Sequence, residues 1–118
     1  MPEDHTINIA PEYFQHICSG TKTVEGRIAK EKYCAMQPGD TLVFVSDDAR
    51  IATEIVNVQR FTSFQQMLQH CGLHNCLPHI HSVEEGIALY RAFPGYALAE
   101  KTEGVIGIHI RLKSDKRE

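Results

Sequence analysis

The run Leu42-Val43-Phe44-Val45, the segment Asp47-Asp48-Ala49-Arg50 and the run Ile51 to Phe61 together limit the fold more than any other stretch. The first reads as a strand, the polar segment as a hairpin loop and the second run as the return strand. On an extended chain successive side chains alternate, so Ile51, Thr53, Ile55 and Asn57 take one face. Ala52, Glu54, Val56 and Val58 take the other. Neither face is cleanly polar. Such a hairpin suits a curved sheet closing on itself better than a flat sheet with one wet face.

The flanking segments supply further elements. Pro38-Gly39-Asp40 has the residue types of a tight turn leading into the hairpin. Thr6-Ile7-Asn8-Ile9 alternates and reads as a first strand. Pro11 suits the first position of a helix, with Glu12 beside the positive end of its dipole. Phe14, Ile17 and Cys18 give that helix an apolar stripe, and Gly20 stops it. A charged second strand follows. In the segment 28–36, Lys30, Glu31 and Lys32 read as solvated, while Tyr33, Cys34 and Met36 pack beneath the next turn.

Thr62-Ser63 with Gln65-Gln66 resembles a capping box opening a helix through Phe64, Met67 and Leu68, which Gly72 ends. Residues 73–81 read as a polar, histidine-rich loop. Ser82-Val83-Glu84-Glu85 opens another helix carrying Ile87, Ala88, Tyr90 and Arg91, and Pro94-Gly95 breaks it. Residues 96–103 form a linker with helical character, and Gly104 to Leu112 a last strand. The order strand, helix, strands, helices, strand defines a mixed α+β fold. It is expected as a single domain over residues 1–118, fraying near 1–5 and 113–118.

Charge and cysteine content narrow the function classes. A net charge of −3 argues against a protein coated with base for nonspecific nucleic-acid binding, yet leaves room for a local basic groove. No apolar run approaches the ~20 residues of a membrane span, so no membrane partner is expected. The start Met1-Pro2-Glu3-Asp4-His5 is too polar for a signal peptide. The four cysteines show no repeated CxxC spacing. Both features point to an intracellular protein, cytoplasmic or nuclear, with reduced thiols.

The chemistry concentrates in Gly20-Thr21-Lys22-Thr23-Val24-Glu25-Gly26-Arg27. As a strand it puts Thr23, Glu25 and Arg27 on one face and Val24 into a core, with a preceding bend aiming Lys22 at the same space. Such a cluster can grip a phosphate, a carboxylate or a polar base edge. The competing interpretation is a solvated strand end carrying an ordinary Glu25–Arg27 pair.

Gly20-x-Lys22-x-Val24-Glu25-Gly26-Arg27 resembles the G-x-K-x-V-E-x-R signature of the ASCH family (activating signal cointegrator homology), a branch of the PUA-like β-barrels. Gln37-Pro38-Gly39-Asp40, Phe93-Pro94-Gly95-Tyr96 and Gly104-Val105-Ile106-Gly107-Ile108 are similar to later segments of that family, so the likeness runs from about Ile7 to Leu112. The resemblance implies a small mixed PUA-like β-barrel with flanking helices. It also implies a charged cleft that takes RNA or a nucleotide-like ligand. In that cleft Lys22 and Arg27 would hold phosphate or a base carbonyl, and Glu25 would orient them or accept from a base amine. Tyr90 and Tyr96 would stack on a base or wall the cleft. Phe93 reads instead as core packing.

Two alternatives stand beside this one. Acetylcytidine amidohydrolases of the same superfamily resemble the chain in this strand, and Lys22 matches their lysine. Glu25, however, holds the position of their threonine nucleophile and offers no hydroxyl. Glu54 and Glu85 are unassigned as second carboxylates, and His109 is a partner only for a ribonuclease-like reaction. The other alternative is a protein-interaction module with protein partners. His70, Cys71, His74, Cys76, His79 and His81 are residue types that ligate zinc, but their spacing fits no standard finger or ribbon. No metal or cofactor is assigned.

Overall fold

The computed structural model describes residues 2–113. In chain order these form β1 (Asp4–Asn8), α1 (Pro11–Ser19), β2 (Val24–Ile28), α2 (Glu31–Cys34), β3 (Thr41–Ser46) and β4 (Ala49–Phe61). There follow α3 (Phe64–Cys71), α4 (Leu73–Cys76), α5 (Val83–Arg91), α6 (Tyr96–Glu103) and β5 (Val105–Leu112). The strands make one sheet in the order β1-β3-β4-β5-β2, with β1 parallel to β3 and the other pairs antiparallel.

This is the expected α+β class, but the sheet curls into a half-barrel without closing. β1 and β2 are its two edges and do not pair with each other. A side chain crosses the gap instead, as Nη2 of Arg27 donates to the carbonyl of Asn8 at 3.0 Å.

The hairpin is tighter than the sequence implied. Ala49 and Arg50 already pair with Ser46 and Val45, leaving only Asp47-Asp48 as the turn. Asp47 takes a φ of 52°, a left-handed conformation that aspartate tolerates better than most residues. Farther along β4 the pairing skips Val56, between Ile55 opposite Ile110 and Asn57 opposite His109. One extra residue reverses the side-chain parity beyond it. Val58, not Asn57, therefore rejoins Ile55 on the buried face.

Each face of the sheet carries its own core. One is built on Phe44, Leu42, Ile55 and Ile108, with Ile17 of α1 packed into it. The other gathers Val24, Ile28 and Val105 beneath Phe64, Met67 and Leu68 of α3. Both helix caps form. Ser63 accepts from the Gln66 N–H at 3.0 Å and Ser82 from the Glu85 N–H at 3.1 Å.

Three segments depart from expectation. Residues 73–81 are not simply a polar loop. Leu73, Cys76 and Leu77 recur at helical spacing, α4 forms, and Cys76 and Leu77 enter the second core. Residues 96–103 are a true helix, pinned by Glu100, which accepts from the Phe64 N–H and from Nε of Arg91, each at 2.8 Å. Asp4 and His5, where fraying was expected, lie in β1. The Thr41 N–H donates to the Glu3 carbonyl at 2.9 Å, and His5 pairs with Asp40 at 2.8 Å. Met1 and residues 114–118, where fraying was also expected, lie outside the described residues. Among those described, no helix is long and apolar enough to cross a membrane.

Candidate functional site

Gly20 sets the geometry of the charged motif. Its φ of 84° ends α1 in the left-handed conformation that glycine adopts without steric penalty. The chain then folds back, with the Thr21 and Lys22 N–H groups both donating to the His16 carbonyl. Lys22 is thereby laid along the start of β2. Its ammonium donates to the carbonyls of Val24 at 2.9 Å and Cys76 at 2.5 Å, and lies 3.4 Å from Oε1 of Glu25.

Arg27 approaches Glu25 from the other side. Nε donates to Oε2 at 2.6 Å, Nη1 to the Tyr33 hydroxyl at 3.0 Å, and Nη2 to Asn8 across the seam. The solvated strand-end interpretation does not hold. Lys22 is 4% and Glu25 5% exposed, and the cations and carboxylate form one buried network.

Burial works against the charge on Glu25, but the fields of Lys22 and Arg27 and their hydrogen bonds outweigh it. The carboxyl is held below its ordinary value. Burial likewise disfavours the charged form of Arg27, and Glu25 more than compensates, so the guanidinium is held protonated more firmly than usual. Both charges are therefore fixed at neutral pH. Two cations around one carboxylate leave the network with an excess positive charge.

This network forms one wall of a cavity of about 300 Å³. Lys22, Glu25, Arg27, Tyr90 and Tyr96 all line it. The two tyrosines line it in different ways. The Tyr90 ring is 4% exposed and lies flat on Phe64, with centroids 4.3 Å apart, so it walls the cavity and that face is closed to a base. Burial raises the pKa of its hydroxyl well above the usual value, and the hydroxyl has no partner among the described residues. Tyr96 is partly exposed at the cavity, its ring parallel to Phe64 at 5.8 Å. Phe93 is not core. It is 39% exposed and packs at a tilt on Tyr96 at 5.4 Å, adding an aromatic to the cavity lining.

Gly26 also lines the cavity, for a packing reason. A Cβ there would stand 2.6 Å from Cε of Met67, 2.8 Å from its Sδ and 3.0 Å from the Tyr90 hydroxyl. A larger residue there would have to displace the end of the Met67 side chain from the second core.

The side chains considered for hydrolysis lie elsewhere. His109 bonds to Gln59 at 2.7 Å and neighbours Cys71, Glu54 pairs with Arg111, and Glu85 accepts from His81 N–H in its helix cap. Among the described residues, no group of three or more His, Cys, Asp and Glu side chains is placed to hold a metal ion. Cys76 lies in the second core, where burial pushes its thiol up to about 12.

Sequence reasoning missed four contributors. Tyr13 lines the cavity and lies beneath the Lys22 ammonium at 5.8 Å from its ring centre. Tyr33 partners Arg27 from a segment whose structure was left open. The carbonyls of Asn8 and Cys76 hold the two cations. Tyr13 was legible as an aromatic in the first helix, but a backbone carbonyl carries no mark of its tertiary partner.

Comparisons with known proteins agree with this architecture. The family description "ASCH domain" matches residues 7–113. The chain is similar to the crystal structure of hypothetical protein PH0355, with 32% identity, a TM-score of 0.84, and coverage of 94% of this chain and 99% of that one. It is also similar to the solution NMR structure of protein PF0455 from Pyrococcus furiosus, with 32% identity, a TM-score of 0.77, and coverage of 96% and 99%. Among curated proteins none matches the chain.

Proposed function

The chain belongs to the ASCH domain family, and from that premise we propose that it is a binding module for RNA or a nucleotide-like ligand. The observation that carries the proposal is the cavity itself. It joins a pre-organised charged wall, with excess positive charge, to an aromatic side containing Tyr96, Phe93 and Tyr13. Polar groups that fix orientation beside apolar walls are the composition of small-ligand sites generally. At about 300 Å³ the cavity is at the small end of such sites, suited to one base with part of its sugar. Tyr96 and Phe93 are the exposed rings on which a base can stack.

Lys22 acts here mainly through its field, because the oxygens of Val24, Cys76 and Glu25 already surround its ammonium. Arg27 adds to that field and Glu25 orients both cations. We read the half-barrel as PUA-like, in keeping with the family. Four free thiols fit a reducing, intracellular setting. The hydrolase alternative has less support. No hydroxyl bonds to Lys22 or Glu25 among the described residues.

Binding of short single-stranded RNA and DNA across a salt series tests the proposal, with wild type beside Lys22→Ala and Arg27→Ala and melting curves to establish that each variant is folded. The expected result is binding by wild type, with weaker affinity and a shallower salt slope in both folded variants. Absence of binding by wild type at low salt would overturn it.

A further inference from the structure

The cations in the cavity are largely engaged with the protein, so a ligand must be read by other groups. The pairing of β2 identifies them. Ile110 N–H donates to the Thr23 carbonyl at 2.9 Å, and Ala29 N–H to the Gly104 carbonyl at 3.0 Å. Given the register Glu25 opposite Ile108 and Arg27 opposite Ile106, the odd-numbered residues of β2 direct their backbone groups toward β5. The even-numbered residues direct theirs the other way, toward the open edge of the sheet. Two of these outward carbonyls are occupied. Val24 accepts from Lys22 and Ile28 accepts from the Lys30 N–H at 2.7 Å.

Gly26 stands between them. Neither its N–H nor its carbonyl has a hydrogen bond to any described residue outside the ladder, and the register turns both away from β5. Gly26 is nonetheless buried and lines the cavity. A backbone donor and acceptor turned toward a cavity and left unpaired by the described residues are open to a complementary pair on a ligand. Here the pair sits side by side on a rigid strand.

We propose that the open edge of β2 at Gly26 is the ligand-reading element. It takes a planar ring through a lactam edge, a ring carbonyl accepting from the Gly26 N–H and the adjacent ring N–H donating to the Gly26 carbonyl. The inference rests on the nucleotide-binding reading and narrows it, since uracil and guanine carry such an edge on their pairing faces. Along the strand the Gly26 N–H, and with it the ring carbonyl, adjoins Glu25, while the Gly26 carbonyl adjoins Arg27; the oxygens of Glu25 are held by Lys22 and Arg27. Selectivity comes from the main chain of β2, beside a charged network that is already engaged with itself.

The test is a titration of isotope-labelled protein followed by amide NMR. The probes are 2-pyridone, uridine and guanosine, each beside its form methylated on the lactam nitrogen. The expected result is a shift of the Gly26 amide with the parent compounds and at least a tenfold loss of affinity on N-methylation. Binding of parents and methylated forms alike, with Gly26 unmoved, overturns the edge assignment and leaves nucleotide binding standing. Binding of 2-pyridone at Gly26 without either nucleoside supports the edge and overturns the nucleotide reading. No binding by any parent at millimolar concentration overturns the edge assignment, and the oligonucleotide titration then decides the nucleotide reading.

Discussion

Glu25 is the residue on which the site depends, because two buried cations have it as their shared anion. Glu25→Gln keeps the shape and removes the charge, leaving Lys22 and Arg27 uncompensated in a low-dielectric setting. Breaking a buried pair in this way costs about 3–5 kcal/mol, measurable by urea unfolding at neutral pH. The same carboxyl predicts an acid limb. Its folded-state pKa lies below the ordinary 4.5, so its stabilisation is complete above that value and is lost as pH falls through the lowered one. Unfolding free energies measured downward from pH 5 should fall more steeply for wild type than for Glu25→Gln, and parallel curves would remove Glu25 from this role. Strand alternation put Glu25 and Arg27 on one face from sequence alone, because that geometry is local. Their burial was not legible, since it depends on Tyr33, Asn8 and Cys76 arriving from distant segments.

Among the elements, α6 makes an unusual contribution to the helical layer. Glu100 reaches across to the first turn of α3, satisfying the Phe64 N–H, and is itself held by Arg91 of α5. One carboxylate thus ties three helices. Ser63→Ala removes a conventional N-cap and should cost about 1 kcal/mol. Glu100→Ala removes hydrogen bonds to a charged group, each worth about 1.5–3 kcal/mol, and leaves a buried N–H unpaired. Equilibrium denaturation should rank Glu100→Ala well below Ser63→Ala, and the reverse order would assign the anchoring of α3 to its own cap. Both caps were legible in the sequence, as was the stop at Gly20. The bulge at Val56 was not, because an inserted residue shows only against its partner strand, and α4 was hidden by His74 and Asn75 between its apolar positions.

The whole molecule is a sheet buried on both faces but open along one seam, and Arg27 is the side chain bridging that seam. Arg27→Lys keeps a positive charge but cannot reach Glu25, Tyr33 and Asn8 together. Hydrogen exchange should report faster amide exchange along β1 in this variant while the β3–β4 hairpin keeps its protection. Unchanged exchange in β1 would show that the seam holds without the guanidinium. Composition and element order indicated the α+β class and the curvature, whereas the open edges could not be read, since strand order is a property of long-range pairing. That strand order also dictates when the cavity can exist. Two strand pairs are consecutive in sequence and neighbours in the sheet, but β4 and β5 are separated by α3 to α6, so the β3–β4 hairpin is the pairing that forms without a large loop closure. Among the described residues β2, which carries the charged motif, pairs only with β5, the fifth of the five strands in chain order. On the ribosome the motif emerges early and waits with its edge exposed. Chains halted before Val105 therefore contain every lining residue of the cavity and still cannot assemble it.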